Sequence, residues 1–222
     1  MLTFSYSTEQ YKFIKLVSDL FQVESLENLH IAHSKLSGRE SSEWKEESSS
    51  EFHKIFYGRL NLEKKDAWTD IIETYESFVK NEVSKRVPGD FLFQKFPSFR
   101  VQTPNSKAIN KWHYDSDKDH GHPEGEINIQ IPLTVMHDTS ATWIESLPGM
   151  RDFKPMNMFP GQYTIFNGNK CTHGNKENTT GLTRVSFDFR IIRREILEAQ
   201  STKNSATLGL KFAVGGYYKE VK

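Results

Sequence analysis

Residues 182–192 read LTRVSFDFRII, with Arg184, Ser186, Asp188 and Arg190 alternating with Val185, Phe187, Phe189 and Ile191. Successive side chains of an extended chain point to opposite faces, so this period of two predicts a β-strand with one wholly polar and one wholly apolar face. If the apolar face packs on helices, the polar face lines the interior of a barrel. A guanidinium there needs an anion to offset its desolvation. A dicarboxylate would supply one, and Arg184 suits it because a planar fork binds a carboxylate through two parallel hydrogen bonds. Ser186, two residues on, can add a hydroxyl donor to the same group.

The segment 111–133, KWHYDSDKDHGHPEGEINIQIPL, carries the second signal. His113 and Asp115 are one residue apart, which on an extended strand turns both side chains to one face, close enough to share a metal. A third ligand must come from elsewhere, and the downstream candidate is His173 in KCTHGN. Two His and one carboxylate on one face, with open positions left on the ion, form the facial triad of non-haem Fe(II) oxygenases. Asp117 and His122 offer a rival register, and His120 and His122 read as loop residues near the entrance. Cys171 reads as a small half-buried residue and not as a thiolate ligand. In 126–133, Ile127, Ile129, Ile131 and Leu133 alternate with Glu126, Asn128 and Gln130. One buried and one wet face is the simplest reading. If the polar face instead looks inward, Asn128 reaches the co-substrate, and Gln102 and Arg100 are similarly placed. Trp112, Tyr114, Asn167 and Arg190 flank these positions as pocket candidates, Arg190 equally as the partner of a structural ion pair near Asp188.

The strand-like texture holds from residue 91, with segments predicted at 91–94, 99–103, 126–133, 141–145, 162–166 and 182–192 between Gly, Pro and Asn clusters. Short strands without intervening helices favour a sandwich or jelly roll over a parallel α/β sheet. Before them, helical spacing predicts a helix over 7–21, capped by Ser7 or Thr8, and a second over 66–83 whose stripe is Trp68, Ile71, Ile72, Tyr75, Phe78 and Val79. Residues 38–51, GRESSEWKEESSSE, read as an exposed linker, with a lid or docking element as the alternative. The last stretch opens as a polar helix or loop and ends in an apolar segment, LKFAVGGYYKEV, expected to pack back as an extra strand or cover.

Across residues 91–193 the chain resembles the Fe(II)/2-oxoglutarate-dependent dioxygenases, and within them the phytanoyl-CoA-hydroxylase-like and streptomycin-biosynthesis-type hydroxylases. The resemblance rests on His113-x-Asp115, WIESLPGMRDF, PGQYTIFNGNKCTHGN and TRVSFDFR, in that order. The family's Arg shortly after the distal His, with a Ser two positions on, is matched by Arg184 and Ser186. It implies an α+β chain with a mainly β core: a double-stranded β-helix (jelly roll, cupin-like) with supporting N-terminal helices. It implies Fe(II) held by His113, Asp115 and His173, with 2-oxoglutarate and O2 consumed and succinate and CO2 released. A single domain follows, with helical support over 1–88, the β-helix core over 89–193 and a C-terminal cover over 194–222. Some relatives that halogenate lack the carboxylate ligand. Asp115 is present, so hydroxylation or a related oxidation is expected.

Composition narrows the partners. The 222 residues carry 29 Lys plus Arg against 29 Asp plus Glu, a net charge of zero that gives no reason to expect nucleic acid or an anionic membrane. The lone Cys171 cannot form an internal disulfide, and residues 1–10 lack a secretory pattern, which favours the cytoplasm. A small polar metabolite or natural-product intermediate is the expected substrate. Two other classes remain open: a non-catalytic cupin-like module binding metal or a small molecule, and a dioxygenase acting on a macromolecule.

Overall fold

The computed structural model describes residues 1–32, 51–58, 67–106, 112–200, 204 and 209–221. The residues 38–50 predicted as a linker or lid therefore lie outside the described residues. The architecture is a mixed fold of helices and antiparallel sheet with a mainly β core.

Its centre is the strand β9 (Arg184–Arg193), the stretch whose alternation is strongest. β4 (Ile127–Pro132) pairs along one edge of β9, while β3 (Ser98–Gln102) and β2 (Phe91–Gln94) share the other. β7 (Gln162–Phe166) continues the sheet beyond β4, β1 (Leu2–Ser5) closes that edge, and β10 (Tyr218–Glu220) closes the opposite edge on β2. Each of these strand pairings is antiparallel.

Directly opposed residues of antiparallel strands share a face, so the register sorts the sheet's chemistry. Arg100 opposes Ser186, Gln102 opposes Arg184, Asn128 opposes Arg190 and Gln130 opposes Asp188. On the reverse face Phe99 and Ile131 flank Phe187, and Ile129 opposes Phe189.

The helices cover this apolar face. α1 (Phe13–Phe21), α2 (Glu51–Gly58) and α3 (Ala67–Phe78) bring Phe13 and Phe56 against Phe187, and Tyr75 edge-on to Phe189 at 5.0 Å. Phe56 stacks on Phe99 at 4.1 Å. Each buried ring contributes about 1.5–3 kcal/mol of hydrophobic stabilisation, which is why the polar face of β9 is the one left to line a cavity. Both faces of β4 are buried as well: Glu126, Asn128 and Gln130 are 1–3% exposed, so the expected wet face is absent.

A small second sheet packs across the polar face. It consists of β5 (Thr142–Ile144) between β6 (Lys154–Pro155) and β8 (His173–Asn175). Gln130 Nε2 donates to Thr142 Oγ1 at 3.2 Å, linking the two sheets.

Several local expectations are corrected. α1 starts at Phe13, with Lys12 at its N-cap and no side-chain capping bond. Ser7 instead organises the preceding turn, its Oγ and carbonyl accepting the N–H groups of Gln10 and Tyr11. The second helix covers 67–78 and runs on as a π-helical turn, Val79–Val83. The C-terminal segment supplies α4 (Arg194–Glu198) and the strand β10. No helix among the described residues is long and apolar enough to cross a membrane.

Candidate metal centre

His113 and His173 face each other in an isolated antiparallel bridge, each backbone N–H donating to the other's carbonyl at 3.0 and 2.8 Å. The imidazole centroids lie 4.6 Å apart. Beyond His113 the chain leaves strand geometry, and Asp115 N–H donates instead to Gly168 O at 2.9 Å. Asp115 Oδ1 then lies 3.5 Å from His113 Nε2 and 3.7 Å from His173 Nε2. Ligands about 2.1 Å from one octahedral ion lie about 3 Å from each other, so a small closing movement would let the three atoms share a metal.

The protonation states suit that task. His173 Nδ1 lies 3.1 Å from Cys171 O. A carbonyl only accepts, so Nδ1 carries the proton and Nε2 keeps its lone pair for the metal. Burial pushes the His173 imidazole down to about 4, against the raising influence of Asp115, and keeps it neutral. Burial pushes the Asp115 carboxyl up, but the Arg190 guanidinium beside it outweighs burial and holds it well below the usual carboxylate range.

The cavity beside the three residues is lined by the polar faces of β3, β4 and β9 together with Thr142, Gly174 and Asn175 of the small sheet. Arg184 lines it, 2% exposed; its Nη1 donates to Ser186 Oγ at 3.0 Å and its Nη2 to Gln102 Oε1 at 3.5 Å. Gln102 braces Arg184 from behind, since its Nε2 is spent on the carbonyls of Ser106 and Lys176. Asn128 lines the cavity too, and its amide N–H is directed at Asp115 Oδ2. Arg190 is paired with Asp115 and with Asp188, and Asp188 in turn with Arg100, a buried chain of alternating charge.

The rival register resolves differently. Asp117 Oδ1 accepts the N–H groups of Asp119 and His120, shaping the turn. His120 stacks on His113 at 3.9 Å. His122 is not at the entrance: it sits behind Asp115, its Nδ1 2.8 Å from Glu126 Oε2, and Glu126 accepts a hydrogen bond from Tyr218. Asp115, His122 and Glu126 also have ligand atoms within reach of one another. Arg190 already occupies the Oδ2 side of Asp115. Cys171 is buried in a small apolar cluster with Met136, Ile144, Met156, Met158 and Phe166, more deeply than the expected half-burial. Trp112 and Tyr114 are exposed, Trp112 lying against Phe153, while Asn167 is exposed and shapes the 167–171 turn.

Comparison with known proteins finds no matching family model. A curated protein, the streptomycin biosynthesis protein StrG of Streptomyces griseus, is 30% identical over 216 residues, covering 97% of this chain and 96% of that protein. The chain belongs to the StrG family. Solved structures resemble it more distantly. They include a non-haem monooxygenase, the ThoJ nickel complex (13% identity, TM-score 0.49, 85% of this chain and 71% of that one), and the α-ketoglutarate-dependent carbocyclase SnoK of nogalamycin biosynthesis (13%, 0.47, 70% and 74%).

Sequence reading left out Thr142 and Asn175 of this StrG-family site, because only the pairing of β5 with β8 carries them to the cavity wall. Gln130 was within reach, since it continues the alternation of Asn128. A further residue steadies the His173 strand from outside. Glu145 accepts the N–H groups of Thr172 at 2.6 Å and Arg151 at 2.9 Å. Burial raises its carboxyl, but these hydrogen bonds and one from Gly149 win and hold it at about 2. A carboxyl lowered on folding contributes stability that is complete above its unfolded value and is lost as pH falls toward the folded one. Glu145→Gln leaves one N–H facing an amide N–H, so it should destabilise the protein by about 1–3 kcal/mol at neutral pH. Urea unfolding should also show a shallower loss of stability for the variant than for the natural chain between about pH 4.5 and 2. Parallel curves with unchanged midpoints would contradict this role.

Proposed function

We propose that the protein is an Fe(II)- and 2-oxoglutarate-dependent oxygenase on a double-stranded β-helix, acting in the cytoplasm on a small polar metabolite or natural-product intermediate. The observation that carries this reading is one cavity lined both by His113 and His173, whose ligand atoms converge with that of Asp115, and by the buried guanidinium of Arg184 beside Ser186.

The donor set fits ferrous iron. It offers two imidazoles and one ionised carboxylate, the combination that leaves open positions on non-haem Fe(II). Two buried amide oxygens of the cavity wall, Asn128 Oδ1 and Gln130 Oε1, have no hydrogen-bond partner among the described residues. An unpaired buried carbonyl costs about 1–3 kcal/mol, so these atoms favour an occupant that brings hydrogen-bond donors, such as water or hydroxyl groups.

When bound, the iron and 2-oxoglutarate would supply the oxidising power by activating O2, with succinate and CO2 released. The chain's part is to hold and shield. Arg184 and Ser186 would grip the far carboxylate of the co-substrate, with Gln102 keeping the guanidinium in place. The sheets on either side of the cavity limit access of bulk water, which protects a reactive centre from side reactions. Asp115 would supply the carboxylate ligand that some halogenating relatives lack, which favours hydroxylation or a related oxidation over halogenation. The polar walls of the cavity suit a polar substrate.

The test is succinate formation from 2-oxoglutarate with Fe(II), ascorbate and O2 over pools of polar metabolites. Substrate-stimulated succinate, absent in His113→Ala, is the expected result. A protein that binds Fe(II) but shows no visible charge-transfer absorption on anaerobic addition of 2-oxoglutarate would overturn the reading.

A further inference from the structure

The two oxygens of Asp115 have different surroundings. Oδ1 faces the Nε2 atoms of both histidines, at 3.5 and 3.7 Å. Oδ2 is turned away from them and accepts two hydrogen bonds, from Asn128 Nδ2 at 2.7 Å and from Arg190 Nε at 3.0 Å. Both donors are themselves held. Arg190 Nη1 donates to Asp188 Oδ2 at 2.7 Å, and Asp188 is anchored on its other oxygen by Arg100. Asn128 presses against Gly168, where a Cβ would meet its amide at 2.8 Å, and the carbonyl of the same Gly168 receives the Asp115 N–H. The carboxylate is thus held by its backbone and through one of its two oxygens.

We infer that Asn128 and Arg190 are positioning residues that hold Asp115 to one-oxygen coordination, leaving on the metal the second position that a chelating co-substrate requires. This inference rests on the function proposed above and deepens it. A carboxylate on a flexible tether can bind an ion through both oxygens, and a second bound oxygen would compete with a bidentate ligand for the open face. Hydrogen bonds to the outer oxygen of a ligand carboxylate set its orientation, and here they come from two strands whose register is fixed by the core on the opposite face. Asn128 thereby acts on the ligand carboxylate and not only, as its place in the sequence suggests, on the co-substrate.

The experiment uses the full chain with Asn128→Leu, Arg190→Met and Arg190→Lys. Three quantities are read: metal affinity with Co(II) alone, the visible Co(II) spectrum without 2-oxoglutarate, and 2-oxoglutarate affinity of the Fe(II)-loaded protein under anaerobic conditions. For Asn128→Leu and Arg190→Met the expected result is Co(II) affinity within threefold of the natural chain, an altered Co(II) spectrum, and 2-oxoglutarate affinity weakened tenfold or more. Arg190→Lys, which keeps the charge and a donor, should recover part of that loss. Should Arg190→Met fail to fold, the neutral Asn128→Leu carries the test by itself.

An unchanged Co(II) spectrum in Asn128→Leu would overturn the inference even if 2-oxoglutarate binding fell, because that pattern means direct contact with the co-substrate. Metal and co-substrate affinity falling together with thermal stability would overturn it as well, since that marks general damage. If the natural chain binds Co(II) but no 2-oxoglutarate, the oxygenase reading fails, and the Co(II) spectra still decide whether Asp115 is held through one oxygen.

Discussion

Arg184→Lys should raise the 2-oxoglutarate concentration needed for half-maximal succinate formation by about ten- to a hundredfold, the energy of one charge-assisted hydrogen bond, about 1.5–3 kcal/mol. Lysine keeps the positive charge but replaces a planar fork by a single ammonium, so a carboxylate loses the second of two parallel bonds. It also loses what holds the guanidinium in place, because the hydrogen bonds to Ser186 Oγ and Gln102 Oε1 depend on two separate nitrogens. Arg184→Ala should lose more, since Ser186 alone would remain to grip the far carboxylate. Fe(II) affinity in the absence of co-substrate should be unchanged in both variants, which separates loss of the carboxylate grip from loss of the metal. Measured titrations in which metal and co-substrate binding weaken in parallel would contradict the assigned role.

Asp115→Ala should combine loss of metal binding with a loss of folding stability of about 3–5 kcal/mol, the usual cost of removing one partner of a buried ion pair. The cause is Arg190, 6% exposed, which would keep its bond to Asp188 but lose the carboxylate that balances it from the other side. His113→Ala should lose the metal without stranding a charge, and so be destabilised by the cavity it leaves and little else. The informative measurement is therefore the difference between the two variants in urea unfolding of metal-free protein. Equal stabilities would mean that Asp115 and Arg190 are not coupled in solution. Asp115→Asn should fall between them, because an amide can still accept one hydrogen bond from Arg190 but carries no charge.

Residues 182–192 and 111–115 carry most of the site in their own pattern. A period of two sustained over the eight residues 184–191 is the mark of a strand, and the helices required by the apolar half of that pattern are the ones found against Phe187 and Phe189. His113 and Asp115 are sequence neighbours, so their proximity is imposed by covalent geometry under almost any local conformation. The type and order of the elements followed from composition and periodicity for β2, β3, β4, β5, β7 and β9; the predicted limits coincide with the observed ones for β2 and β7 and differ by one or two residues for the others.

Other features have no local signature. β1 is four residues long and β8 is the sequence HGN, too short and too poor in β-branched residues to declare themselves; each exists because a partner strand offers hydrogen bonds. α2 became visible only through the burial of Phe52 and Phe56 against the sheet. The polar face of β4 could not be assigned to water or to a cavity, because alternation separates two faces without saying what covers each. The sequence by itself determined that a strand with a polar face carrying Arg184 follows a His-x-Asp pair and a distal His. Only the tertiary structure decided that His173 meets them, that β5 and β8 close the cavity over Arg184, and that Arg190 is spent on Asp115. Those facts depend on contacts between residues far apart in the chain, whose energy exists only once the loops between them have closed.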